Sequence, residues 1–300
     1  MIISYLCMHL YELLSLEKAM KKKSLMISLI LIFTAAQSAL AQYPDPFLTE
    51  DERPTPYAWL LPPPEFTSSA FMNDFYYYQW GKEQRDSGYV SIFAVDDEGT
   101  NLYKVFNGLV DVELSHENTP EILKLVEGGV SDIHVINSTV KDFYKRKRPF
   151  ATFNEPSLKP EEDSVEANTY SYPSGHACRG YMFAMLLSLI APEYANGLMM
   201  RAEIYALNRL ICGHHWKSDI DASQKLVAGV FPVLMTNEKF QEQLAKARKE
   251  YAEKTGKSTS VSSVRAKSAD DKWYNLQGQS VTAPQSSGIF IHKGNKVAVR

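Results

Sequence analysis

Cysteine is scarce in this chain: three occur in 300 residues, Cys7, Cys178 and Cys212. At most one disulfide can form, and nothing in the spacing says whether Cys178 and Cys212 meet. An excess of positive charge is also missing. The formal net charge is -3, which gives no reason to expect nucleic-acid binding. Beyond the N-terminus no segment is long and apolar enough to cross a bilayer. Alternating apolar and polar runs are few between about residues 68 and 255, where the apolar spacing is mostly helical. What is present, 45% hydrophobic and 22% charged residues, suffices for one main buried core with extras.

The N-terminus has the order of a secretory leader. Lys21-Lys22-Lys23 precede the apolar run Leu25–Phe33, and small residues follow, closing at Ala39-Leu40-Ala41. Residues 1–41 are therefore read as a signal peptide, with Met20 as the natural start. Cleavage there removes Cys7 and leaves a mildly acidic mature protein. The expected location is periplasmic or secreted, with no membrane span after signal removal.

Residues 42–67 are punctuated by proline and read as an extended lead-in. Helical spacing runs over 121–147, up to a basic cluster, and a polar loop follows. The stretch "HACRGYMFAMLLSLI" is apolar nearly all round, as a central helix must be. Residues 193–212 and 215–235 read as two further helices broken by Gly213, and 238–254 as a polar one. The domain thus spans 68–255. A flexible linker is read over 256–271 and a β-type tail over 272–300, with turn signals at Gly278, Gly288 and Gly294-Asn295.

Three clusters carry chemistry. In "KDFYKRKRP", Lys141 and Arg148 are seven apart, two helical turns, and Pro149 marks the helix end. Alone, this reads as a solvated basic helix end. In "YPSGH", Ser174 and Gly175 sit where a helix cap belongs, with free N–H groups that suit an anion. In "NRLICGHHWKSD", His215 and Asp219 are four apart, so on a helix the carboxylate can fix the ring's tautomer. His214 lies one step round, about 100° away, and reads as a flank. A His/Asp pair also suits a metal ion. Lys141, Arg148 and Arg209 gathered in one pocket would instead repel a metal and attract an oxyanion.

Lys141-x6-Arg148-Pro149, then Pro173-Ser174-Gly175-His176, then Arg209-x5-His215-x3-Asp219 resembles the signature of the type 2 phosphatidic acid phosphatase superfamily, shared with vanadium haloperoxidases. Within it, "SYPSGH", "ICGHHWKSDIDA" and "LLPPP" are most similar to the bacterial class A nonspecific acid phosphatases. Two positions depart: Asn208 stands where serine is usual, and Ala177 after the PSGH is less common. The resemblance implies an all-α helical bundle, here with a short C-terminal β-type appendage. It implies hydrolysis of small soluble phosphate monoesters with broad specificity, without metal or other cofactor. It also implies roles: His215 as nucleophile oriented by Asp219, and His176 as general acid. Lys141, Arg148, Arg209, Ser174 and Gly175 would then hold the phosphate oxygens. A vanadate-dependent haloperoxidase and a non-catalytic phosphate-binding exported protein are the competing readings. The oligomeric state is open.

Overall fold

The computed structural model describes residues 44–86, 88–99, 101–257, 272–276, 278–282, 284, 288–292 and 295–299. The leader read over 1–41 and most of the linker lie outside them. The helices are α1 (Phe71–Arg85), α2 (Gly88–Gly99), α3 (Leu102–Phe106), α4 (Pro120–Tyr144) and α5 (Pro149–Phe153). They continue with α6 (Asp163–Glu166), α7 (Gly175–Ile190), α8 (Ala195–Cys212), α9 (Lys217–Thr236) and α10 (Glu238–Thr255). Four short strands follow.

Helix α7, apolar nearly all round, is the centre of the bundle. It packs on α3, α4, α8, α9 and α10, and Ala177, Cys178, Met182, Phe183, Ala184 and Leu186 are fully buried. Each buried large apolar side chain contributes about 1.5–3 kcal/mol, so this one helix anchors the core. Helix α4 starts with Pro120 at its first position, where the missing N–H costs nothing. Its inward face carries Ile122, Val126, Gly129, Ile133, Ile136 and Val140, all at steps of three or four. Gly81 of α1 lets that helix touch α8, since a Cβ there would lie 2.5 Å from the Leu210 carbonyl oxygen.

The lead-in is tied down rather than simply extended. It makes 3-10 turns at Glu50–Glu52 and Pro56–Ala58. The Asp132 carboxylate of α4 accepts the N–H groups of Phe47 (2.9 Å) and Leu48 (3.0 Å). Burial holds this carboxyl up at about 6, while the two N–H groups oppose that rise. Among the described residues no helix is long and apolar enough to cross a membrane. Cys178 and Cys212 are both buried and form no disulfide with each other. Burial pushes the Cys178 thiol up to about 12, which leaves it unreactive.

Strands β1 (Trp273–Tyr274), β2 (Ser280–Val281), β3 (Gly288–His292) and β4 (Asn295–Val299) form one antiparallel sheet in the order β2-β1-β3-β4. Trp273 pairs with Val281 and His292, and Gly288 with Val299. Period-two alternation turns Ile289 and Ile291 of β3 toward the helices. Ile291 and Leu276 bury against Ile204, beside Phe93 and Met200. Ile289 meets Val90, Ala94, Ile211 and Cys212. The appendage therefore covers apolar surface of α2 and α8 instead of trailing free. Truncation after Lys257 is expected to lower the Tm by several degrees, since Ile204 and Ile211 become exposed. Turnover should stay within a few-fold, because every motif lies earlier in the chain. Thermal melts and steady-state rates on the truncated protein check both halves.

Candidate active site

Each motif sits where one helix ends or another begins. Helix α4 carries Lys141 in its last turn and stops at Lys145, which adopts a left-handed φ of 49°. Arg148 is then extended, as the residue before proline must be, and caps α5. Lys141 and Arg148 thus do not share a helical face, as their spacing suggested; a turn brings them together. Ser174 caps α7, its Oγ accepting the Ala177 N–H at 3.3 Å, an arrangement typically contributing about 1 kcal/mol. Gly175 follows beside the end of α4. A Cβ there would stand 3.4 Å from Asn137 Nδ2 and 4.0 Å from Lys141 Cε, ordinary contacts that packing alone tolerates.

The histidine segment departs from its expected geometry. Helix α8 ends at Cys212, and Gly213 reverses the chain with φ 83°. Any Cβ there would lie 2.2 Å from Arg85 Nη2. His214 and His215 are outside any helix, and α9 starts only at Lys217. The His215–Asp219 pair therefore spans a helix N-terminus, and the 100° step between neighbours does not apply. The irregular backbone instead sends the two imidazoles to different partners.

His215 is buried between a carboxylate and a guanidinium. Its Nδ1 lies 3.2 Å from Asp219 Oδ2 and its Nε2 lies 3.1 Å from Arg148 Nη1. A guanidinium only donates, so Nε2 accepts and the proton resides on Nδ1. Burial, then the charges of Arg148, Lys141 and Arg209, hold its pKa well below the ordinary imidazole range. The ring is neutral, with a lone pair on Nε2. Asp219 is fully buried and also accepts the Trp216 N–H at 2.8 Å.

His214 is no surface flank. It is fully buried, its Nδ1 2.5 Å from Arg209 Nη2, and its carbonyl accepts from Arg148 Nη1 at 3.0 Å. One residue thereby holds two of the cations. Half-buried Lys141 donates to the Tyr170 carbonyl. Burial and then the Arg148 charge push its ammonium down to about 7. His176, in the first turn of α7, leans its half-buried ring on Tyr205 of α8 at 5.9 Å.

Several partners were invisible in the motifs. Arg148 is braced by Glu166 (2.7 Å) and Thr169 (2.8 Å) from the polar loop. Arg146 joins Asp219 and Asp74, each at 2.6 Å. Its only signal was membership of the basic cluster, and Asp74 gave none. Asn208, at the usual serine position, donates to Asp97 Oδ2 at 2.7 Å beside the buried Asp97–Arg201 pair. It locks α8 to α2. Among the described residues no three His, Cys, Asp or Glu side chains form a group able to hold a metal ion.

The PAP2 superfamily pattern matches residues 129–240, which hold all three motifs. The non-specific acid phosphatase of Salmonella typhimurium is 31% identical over 249 residues, covering 78% of this chain and 94% of the relative. The chain belongs to the PAP2 superfamily. Within PAP2 it stands among the class A acid phosphatases. The non-specific acid phosphatase of Providencia stuartii is 32% identical over 198 residues, covering 65% of this chain and 80% of that protein. An acid phosphatase of Zymomonas mobilis is 25% identical, covering 71% and 81%.

The two neighbouring histidines of this PAP2 site should separate experimentally. His215→Ala is expected to abolish turnover by orders of magnitude. His214→Ala should lower kcat/KM about 100-fold through the released cations, the lower end of the range seen for a lost electrostatic donor. It should also lose about 2–5 kcal/mol of stability as a buried truncation. Rates together with denaturant unfolding measure the difference.

Proposed function

We propose that the protein is an exported acid phosphatase that hydrolyses phosphate monoesters through a phosphohistidine. The observation that carries this reading is the neutral His215, its Nε2 lone pair facing Arg148 and its Nδ1–H held by Asp219. The leader pattern in residues 1–41 supports export.

In the first step Nε2 of His215 attacks phosphorus, and the bond from phosphorus to the ester oxygen breaks. His176 gives its proton to that oxygen, so the product leaves as a neutral alcohol. Arg148, Arg209 and Lys141 neutralise charge on the non-bridging oxygens, joined by Ser174 and the Gly175 N–H. In the second step water attacks the phosphohistidine, and His176 takes up the water's proton. The N–P bond breaks, returning neutral His215 and free phosphate. Splitting the displacement in two makes each half easier. Cations around the pocket, not a metal ion, supply the charge.

Two measurements test this. Rapid acid-free quenching with labelled substrate should trap phosphate on His215, and His215→Ala should trap none. His176→Ala should impair kcat/KM far more for an alkyl phosphate than for a nitrophenyl phosphate, whose anion leaves unaided. Equal losses would reduce His176 to a phosphate-holding residue.

The pH dependence follows from Lys141. Its lowered pKa, about 7 in the free enzyme, makes it a cation below that pH and neutral above it. Anion capture should therefore weaken as pH rises through about 7, a change that kcat/KM reports because it reflects the free enzyme. Lys141→Arg cannot lose its charge. In that variant the alkaline limb of kcat/KM should move to higher pH.

A further inference from the structure

Asp219 faces two opposing demands. A carboxylate 3.2 Å from Nδ1 of His215 orients the ring, yet it also stabilises the protonated imidazole and so makes the ring more basic. A nucleophile working on the acid side of neutrality needs the first effect without the second.

Arg146 stands on the other side of that carboxylate. Its Nη1 lies 2.6 Å from Asp219 Oδ1 and its Nη2 lies 2.6 Å from Asp74 Oδ2. The guanidinium is 9% exposed, and both carboxylates are buried. The rings of Trp216 and Tyr172 cover it at 5.2 and 6.0 Å. Asp74 is fixed in turn, accepting the Ser218 N–H at 2.7 Å and the Ser218 hydroxyl at 2.6 Å. Ser218 Oγ accepts from Arg146 Nη1 at 2.7 Å. Asp74 of α1, Ser218 of α9, Trp216 just before α9 and Tyr172 just before α7 thus hold the guanidinium against Asp219. No motif requires it there.

We propose that Arg146 is a positioning residue that neutralises the Asp219 carboxylate, so that Asp219 orients His215 without making Nε2 basic. The nucleophile then stays unprotonated in acid. This rests on the reading of His215 as nucleophile. The charged groups facing His215 are Lys141 from α4, Arg148 from the turn after it, Arg209 from α8, the adjacent His214, and Asp219. All but Asp219 disfavour the imidazolium. Arg146 faces Asp219 and Asp74 alone among charged groups named here, and it cancels the one influence that favours it.

The test must not leave two buried carboxylates sharing a proton, so Asp74 is changed as well. Asp74→Asn keeps the guanidinium on Asp219, and Asp74→Asn combined with Arg146→Gln removes it. The His215 ring is titrated by nitrogen NMR in labelled full-length protein, and kcat/KM is followed against pH. In Asp74→Asn the His215 pKa should stay at or below the parent's. In the double variant it should rise by about one unit or more, making the ring about tenfold more protonated at a given acid pH. The acid limb of kcat/KM should rise with it. A double variant titrating as Asp74→Asn does overturns the proposal, and so does an equal rise in both.

If the double variant does not fold, Arg146→Lys decides. It keeps the charge, so its acid limb must stay with the parent's, and an upward move overturns the proposal. Failure of the nucleophile reading is separately visible. Turnover surviving in His215→Ala would end that reading, while the NMR titration would still decide what Arg146 does.

Discussion

A neutral imidazole lies between a guanidinium and a carboxylate, all three withdrawn from water, and the site is arranged around keeping it so. Arg148 holds Nε2 at 3.1 Å and Asp219 holds Nδ1 at 3.2 Å. Neither partner can be moved alone. Without Asp219 the ring loses its tautomer, and without the surrounding cations it gains a proton. Buried ions are costly, and removing one member of a buried pair typically costs about 3–5 kcal/mol. The arrangement therefore survives only because each charge has its own fixed partner.

Those partners come from the bundle's ends. Glu166 and Thr169 brace Arg148, His214 braces Arg209, and Asp74 braces Arg146. Helices α4, α7, α8 and α9 meet where these groups converge, and α7, apolar nearly all round, packs against each of the other three. Helix packing and site electrostatics are thus one problem. The Gly81 contact sets the approach of α1 to α8 and so bears on both, because α1 carries Asp74 and α8 carries Arg209. The C-terminal sheet adds a cover over Ile204 and Ile211, outside the motifs but against the same helix.

Much was legible in the sequence because it depends on local spacing. The nearly all-round apolar stretch after His176 marks the central helix, and Pro149 and Gly213 mark where helices end. Ser174 reads as a cap, and the three motifs in order identify the superfamily and nominate His215 over His214. The strands of the tail follow from short β-type runs between turn residues. Apart from the order of the motifs along the chain, all of these are properties of neighbours within a few positions of one another.

What the tertiary structure alone decided involves residues far apart in the chain. Asp74 meets Arg146 and Ser218 across 72 and 144 positions, and Glu166 reaches Arg148 from a loop whose composition reads only as polar. The geometry of His215 and Asp219 was misplaced on a helix face because spacing cannot tell a helix from its first turn. His214 looked like a flank because exposure is not a local property. A charge run such as Lys145 to Arg148 looks solvated until the fold shows which members point inward. Sequence determines which groups can act, since their chemistry is intrinsic. Only packing decides which of them lose water, and that loss sets their protonation and their partners.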